Sequence, residues 1–163
     1  MSAAFDRAFD TLMEYEGGYV NDPNDHGGET NFGISKNSYP DEDIKNMTLT
    51  RAKELYKRDY WNPLRLDEVE SIDIAEEIFE QAVNMGRGTA ARHTQEALNY
   101  LGRAVRIDGS IGPKTLEAIN NFADKRLLFK VLNGIQFCRY FTIVKADPSQ
   151  SEFARGWLRR IVV

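Results

Sequence analysis

Three oxygen-bearing side chains stand close together near the start of this chain: Glu16, then after eight residues Asp25, then after four more Thr30. Two carboxylates and a hydroxyl facing across a groove suit the cleavage of a glycosidic bond. One acid protonates the leaving oxygen, while a second carboxylate orients water or steadies the cationic sugar. Glu16 has the better placement for the acid. It precedes Gly17-Gly18 at the expected end of a helix, where the carbonyl dipoles disfavour an anion and tend to raise a carboxyl pKa. The bland alternatives are a solvated glutamate beside a C-cap and, for Asp22 and Asp25, Asx-turn geometry.

The elements that must hold these groups follow from periodicity. Phe5, Phe9, Leu12 and Met13 recur at the i, i+4, i+7, i+8 spacing of one helix face, with Ser2 as N-cap and Gly17 as the stop. Asn21 to Gly28 is turn-forming by composition, and the flanking Tyr19-Val20 and Thr30-Asn31-Phe32-Gly33-Ile34 runs suit short strands. Helix then hairpin puts Glu16 on one wall of a cleft, Asp25 on the loop opposite and Thr30 on the returning strand. The loop lacks the alternating acids and distal glutamate of a calcium-binding EF-hand.

Glu16-Gly17-Gly18-Tyr19, followed by Asn21-Asp22-Pro23-x-Asp25-x-Gly27-Gly28-x-Thr30-Asn31-x-Gly33-Ile34-Ser35, resembles the opening motif of glycoside hydrolase family 108. That family's members are N-acetylmuramidases of phage endolysins and related bacterial export systems. The resemblance implies that Glu16 is the catalytic acid. The spacing is also similar to the Glu, Asp, Thr constellation of phage-type lysozymes, which carries Asp25 and Thr30 over as catalytic candidates. Tyr60-Trp61 followed by Pro63 is typical of the family, and its Val-Asn-x-Gly element, here ending at Gly86, implies a groove position for Asn84. Tyr19, Asn31, Tyr60, Trp61 and Asn84 are therefore the expected substrate contacts. By periodicity alone Trp61 reads as core, with stacking on a sugar face the other reading.

A second motif lies far downstream. Asp108-Gly109-Ser110-Ile111-Gly112-Pro113-Lys114-Thr115 is physically a turn followed by a helix start, with Pro113 suited to the first helical position. It is similar to the Asp-Gly-x-x-Gly-x-x-Thr signature of helical peptidoglycan-binding modules. Two separate segments thus imply one polymer.

Charge is unevenly divided. Residues 1 to 86 hold 19 Asp and Glu against 8 Lys and Arg, and residues 87 to 163 hold 6 against 13, so the halves carry −11 and +7. Mutual attraction of packed lobes accounts for part of this, and a basic half facing an anionic wall polymer for the rest. Scattered cations and an acidic partner half argue against nucleic acid. One cysteine, Cys138, excludes an internal disulfide and reads as a buried thiol in an apolar helix. No basic stretch leads into an apolar run at the N-terminus, and no 18 consecutive residues are apolar. The expectation is synthesis in the cytoplasm without a signal peptide, no stable membrane insertion, and delivery to the wall by a holin or an export system.

The rest reads as helices. Thr50 caps one carrying Ala52, Leu55, Tyr56 and Tyr60; another uses Ile74, Ile78, Phe79, Ala82 and Val83. Residues 89 to 102 form a third, with Thr89 as cap and a lone His93 that lacks partners at metal spacing and belongs to the surface or the core edge. A long helix over 124 to 146 suits the centre of a bundle, with Leu127, Leu128, Val131, Leu132, Ile135 and Phe141 on its apolar stripe. Ser149 and Glu152 cap a last helix that buries Phe153, Trp157, Leu158 and Ile161.

The sequence therefore predicts a mainly α, lysozyme-like fold with one small β-hairpin beside the active-site helix. Residues 1–88 form a muramidase region, and residues 89–163 form a peptidoglycan-binding-like region packed on it without a flexible linker. The expected activity is hydrolysis of the β-1,4 bond between N-acetylmuramic acid and N-acetylglucosamine, by a monomer that needs no metal or cofactor. A lytic transglycosylase and a non-catalytic wall-binding module are the alternatives. Stereochemistry is open: a carboxyl separation of about 6.5 to 9.5 Å suits inversion and about 5 Å a covalent route.

Overall fold

The computed structural model describes residues 2–15, 18–21 and 28–161. Helix α1, Ala3–Tyr15, buries Phe5, Phe9 and Leu12, with Met13 at the edge of the same stripe. Ser2 begins it as expected, its carbonyl accepting from Asp6 N at 3.0 Å and its hydroxyl from Phe5 N at 3.5 Å. Phe5 packs edge-on against Trp61 and Phe79, with ring centres 5.2 and 5.9 Å apart, and the Lys57 ammonium lies 4.8 Å from the Phe5 ring centre.

The β-structure is a pair of two-residue strands, β1 at Thr30–Asn31 and β2 at Ile34–Ser35, paired antiparallel with Thr30 opposite Ser35 and Asn31 opposite Ile34. Val20 extends it by an antiparallel bridge to Thr30, through paired amide–carbonyl bonds of 2.8 and 2.9 Å. The expected hairpin thus gains a second, tighter reversal at Phe32-Gly33. Both turn residues have positive φ, 50° and 74°, as a two-residue hairpin turn matched to strand twist requires. Glycine takes that conformation freely. Phe32 is held in it by the body of the protein, since Tyr56 Oη donates to its carbonyl at 3.1 Å.

Helix α2, Leu49–Tyr56, starts earlier than the sequence suggests. Thr48, not Thr50, is the cap and accepts from Arg51 N at 3.2 Å. The helix then widens into a π-helical turn, Lys57–Trp61, closed by Asn62 N donating to Lys57 O at 2.9 Å before Pro63 ends it. The wider turn sends Trp61 into the core while Asp59 and Tyr60 stay partly exposed.

Helix α3, Ile72–Met85, occupies the centre and packs against α1 and against two later helices, α4 (Arg87–Tyr100) and α6 (Lys125–Ala146). The long helix predicted for the centre is instead an outer one. Leu127 and Phe141 are exposed on it, and beyond Gln136 it buries only Tyr140. Gly86, at φ 86°, is the joint between α3 and α4, so α4 begins two residues before Thr89. Helix α5, Pro113–Asn120, follows with Pro113 in its first turn, and Asp124 caps α6 by accepting from Leu127 N at 2.9 Å. Helix α7, Ser151–Leu158, is entered through a short 3₁₀ turn, Pro148–Gln150.

The chain end departs most from expectation. Asp147 rather than Ser149 does the capping, accepting from the Ser149 amide at 3.1 Å and its hydroxyl at 2.7 Å. No residue of α7 is buried, and Phe153 and Leu158 are exposed because the helix packs mainly on α6 and the 3₁₀ turn before it rather than between two layers. Cys138 is exposed for the same reason. His93 moves the other way: it is buried, with Nδ1 2.8 Å from Gln81 Oε1.

A polar seam joins α3 to α4 and α6. Gln81 Nε2 donates to Glu77 Oε1 at 2.8 Å and to Leu132 O at 3.2 Å, which leaves its Oε1 as the acceptor for a His93 Nδ1–H. Gln136 Nε2 donates to Glu80 Oε2 at 2.7 Å, and Arg160 lies 3.5 Å from Glu80 Oε1. Burial pushes the Glu77 carboxyl up to about 7, against smaller opposing hydrogen bonds, and raises Glu80 as well. Burial depresses His93.

Candidate active site and wall-binding module

Glu16 and Asp25, the two candidate carboxylates, lie outside the described residues, as do Asp22 and Gly27. The scaffold around them is described. Helix α1 ends at Tyr15, immediately before Glu16, and the chain reappears at Gly18 to bridge Val20 to Thr30. Thr30 and Ser35 form one opposed pair, half-exposed. Asn31 and Ile34 form the other and are buried, as the two-residue period of a strand dictates. The Thr30 hydroxyl donates to Gly28 O at 3.3 Å.

Asn31 is inside rather than at a sugar-facing surface. Its Nδ2 donates to the Ile44 carbonyl at 3.1 Å and pins the strand to the loop before α2. Trp61 is 0% exposed, and its indole N–H donates to Asp67 Oδ1 at 2.8 Å. A ring without an exposed face has nothing to offer a pyranose, so the core reading of Trp61 is the one the packing supports. Asp67 also accepts from Ser2 and, at 3.0 Å, from Lys57; burial pushes its carboxyl up, but these three donors together hold it below its usual range.

Tyr19, Tyr60 and Asn84 keep accessible atoms. Tyr19 Oη donates to Glu29 Oε1 at 2.7 Å, and that carboxylate raises the phenol's pKa. Asn84, exposed at the end of α3, donates to the Glu80 carbonyl at 3.1 Å and to the Glu80 carboxylate. Tyr60 lines an open depression of about 750 Å³ together with Tyr39, Arg58, Asp59, Gly86 and Arg87. Within it Arg58 forks onto Asp59 at 2.7 and 2.6 Å, and Tyr39 Oη donates to the same carboxylate at 3.0 Å. The Arg58 fork first, helped by Tyr39, keeps Asp59 below its usual pKa, while burial raises the Tyr39 phenol. Sequence reading missed Tyr39, Arg58, Asp59 and Arg87, because a π-helical turn leaves no distinct spacing for Arg58 and Asp59, and Tyr39 and Arg87 come from distant segments that only the fold brings to them.

The downstream motif is explained by one buried side chain. Gln95 Oε1 accepts from the amides of Asp108 and Gly109, both at 3.0 Å, and its Nε2 donates to Asp108 Oδ1 and Ser110 O, both at 2.9 Å. Asp108 also accepts from Ser110 N at 3.0 Å. Gly109 sits at φ 78°, where a Cβ would come within 3.1 Å of the Arg92 guanidinium. Gly112 precedes Pro113 as N-cap, and Thr115 is buried beneath the loop. The Asp-Gly-x-x-Gly-x-x-Thr residues thus build the loop; their polar atoms are used within it.

Comparison with known proteins divides the chain along the same joint. Residues 9–86 match the family Glycosyl hydrolase 108, and the match runs from within α1, across the hairpin, to the end of α3. This segment belongs to the glycosyl hydrolase 108 family. Residues 89–162 match a "Predicted Peptidoglycan domain". Among solved structures, Brucella abortus SagA is similar at 28% identity and a TM-score of 0.75, covering 96% of this chain and 88% of its own. No curated protein matches the chain. The fold is mainly α and lysozyme-like, and the two family matches together support a glycoside hydrolase acting on peptidoglycan.

Proposed function

We propose that this glycosyl hydrolase 108 chain is an N-acetylmuramidase that cleaves the β-1,4 bond between N-acetylmuramic acid and N-acetylglucosamine. Glu16 protonates the glycosidic oxygen as the bond to the sugar's anomeric carbon breaks. Water attacks that carbon, oriented by Thr30, and gives its proton to Asp25. The two products together are one water heavier than the intact chain, and exchange with solvent takes the proton from Asp25 and restores one to Glu16. The observation that carries this reading is the Glu16-Gly17-Gly18 motif, which follows directly on α1 and leads into the strand bridged to Thr30.

Tyr19, Tyr60 and Asn84 contact the glycan in this proposal, with Asn31 and Trp61 supporting the groove from within. The enzyme acts as a monomer, is synthesised in the cytoplasm and reaches the wall through a holin pore, as a phage endolysin would, or through an export system. Purified peptidoglycan digested with the wild type and analysed by mass spectrometry tests the chemistry. Reducing muramic acid ends support hydrolysis. Anhydro-muramyl ends, lighter by one water, would replace it with lytic transglycosylation, and no new ends would leave a binding module.

A further inference from the structure

We infer that the outer face of α6 and α7 is a docking surface for an anionic lipid bilayer. Four large apolar side chains of these two helices stand in solvent. Phe137 and Phe141 on α6 are 46% and 61% exposed, with ring centres 6.4 Å apart and planes within 26°; Phe153 and Leu158 on α7 are half-exposed. Helix α6 is long and apolar enough, by length and composition, to cross a membrane, yet only 28% of its most apolar stretch is buried in the protein. A core helix would be covered. This one is held to the body by its first half and by Tyr140, on which Trp157 of α7 stacks at 5.3 Å.

The charges around the face select the partner. From 137 to 161 there are five Lys and Arg against two Asp and Glu. Lys145, Arg155 and Arg159 are all exposed, and none is ion-paired among the described residues. Of the two acids, Asp147 is committed to Ser149 and Gln150. Apolar side chains flanked by unpaired cations are the pattern of a helix that lies in an anionic interface, its rings in the headgroup–acyl boundary and its cations on the phosphates. A second copy would bring like charges together. A glycan would need hydrogen-bonding groups beside the rings, and the hydroxyl of Thr142, next to Phe141 in the chain, already donates to Cys138 O at 2.8 Å.

The chain's one cysteine provides the probe. Cys138 is exposed, adjacent to Phe137 and one turn from Phe141. A nitroxide attached to Cys138 of the full chain is to be measured with vesicles of phosphatidylglycerol and phosphatidylethanolamine, and with phosphatidylcholine vesicles. Immobilisation and reduced access to a water-soluble relaxation agent are expected on the anionic vesicles alone. Phe137→Ser with Phe141→Ser is expected to weaken vesicle co-sedimentation of unlabelled protein about tenfold or more, leaving wall digestion and binding to insoluble peptidoglycan unchanged. No vesicle binding, or equal binding to neutral vesicles, overturns the inference. So does a double variant that keeps vesicle binding but loses peptidoglycan binding, or one whose only change is loss of a self-associated dimer. The wall digestion assay reports separately on the proposed muramidase activity.

Discussion

Glu77 and Gln81, one turn apart on α3, share a 2.8 Å hydrogen bond inside the protein, and the carboxyl has no cation paired with it among the described residues. The titratable and charged groups around this seam and the cavity beside it are Arg7 on α1, Asp73, Glu76 and Glu80 on α3, His93 on α4, Lys125, Arg126, Arg139 and Tyr140 on α6, and Arg160 after α7.

This pair gives the fold a pH dependence. Glu77 titrates near 7 when folded against 4.5 when unfolded, so the native state holds the proton more tightly. Its contribution is complete below pH 4.5 and is lost as pH rises through about 7. Across that window the loss is on the order of 3 kcal/mol, at about 1.4 kcal/mol for each pH unit separating the two states. His93, depressed, acts in the opposite sense and loses stability as pH falls, so the two partly offset in the wild type. Chemical denaturation of wild type and Glu77→Gln at pH 5 and pH 8 separates them. The variant is expected to gain stability relative to wild type at pH 8 and to gain little at pH 5.

Trp61 and Tyr60 are neighbours with different duties. Trp61→Phe removes the donor to Asp67 and leaves a small cavity among Phe5 and Phe79, for an expected cost of about 1–3 kcal/mol and an unchanged KM on soluble glycan. Tyr60→Leu is expected to raise KM with a smaller loss of stability. Denaturation midpoints and KM measured on both variants check the assignment; a raised KM in Trp61→Phe without destabilisation would reverse it.

Gln95 makes four of the hydrogen bonds that hold the 108–110 turn. Gln95→Leu keeps volume but strips partners from two amides, for an expected loss of about 2–4 kcal/mol. Gly109→Ala is expected to cost about 1–2 kcal/mol, since its φ is positive and Arg92 must move aside. Hydrogen exchange of the Asp108 and Gly109 amides should rise sharply in Gln95→Leu, before any change in the amides of α1.

Much of this architecture is written in short-range patterns. The apolar stripe of α1, the Asp124 start of α6, and Pro113 at the head of α5 obey local rules of helix facing and capping, and each forms where those rules put it. The misses come from context. Thr48 and Thr50 are equally good caps by type, and the choice between them depends on where Met47 and Ile44 enter the core. The exposure of Phe141, Phe153 and Cys138 is not a property of their helices' periodicity, which reads as buried; it reflects the lack of a second layer over α6 and α7 among the described residues. Near the site, Thr30 lies on a strand, as the β-favouring run Thr30-Asn31-Phe32-Gly33-Ile34 suggests. The inward turn of Trp61 depends on an extra residue in one helical turn, which hydrophobic spacing does not encode.

The proposed chemistry turns on Glu16 as the general acid. Glu16→Gln is nearly isosteric and removes the proton donor. The decisive measurement is the rate and product mass from purified peptidoglycan treated with equal amounts of wild type and of Glu16→Gln with an unchanged denaturation midpoint. Reducing muramic acid ends are expected from the wild type, and a loss of roughly a hundredfold or more in the variant. A folded Glu16→Gln that releases the same products at the wild-type rate would refute the assignment.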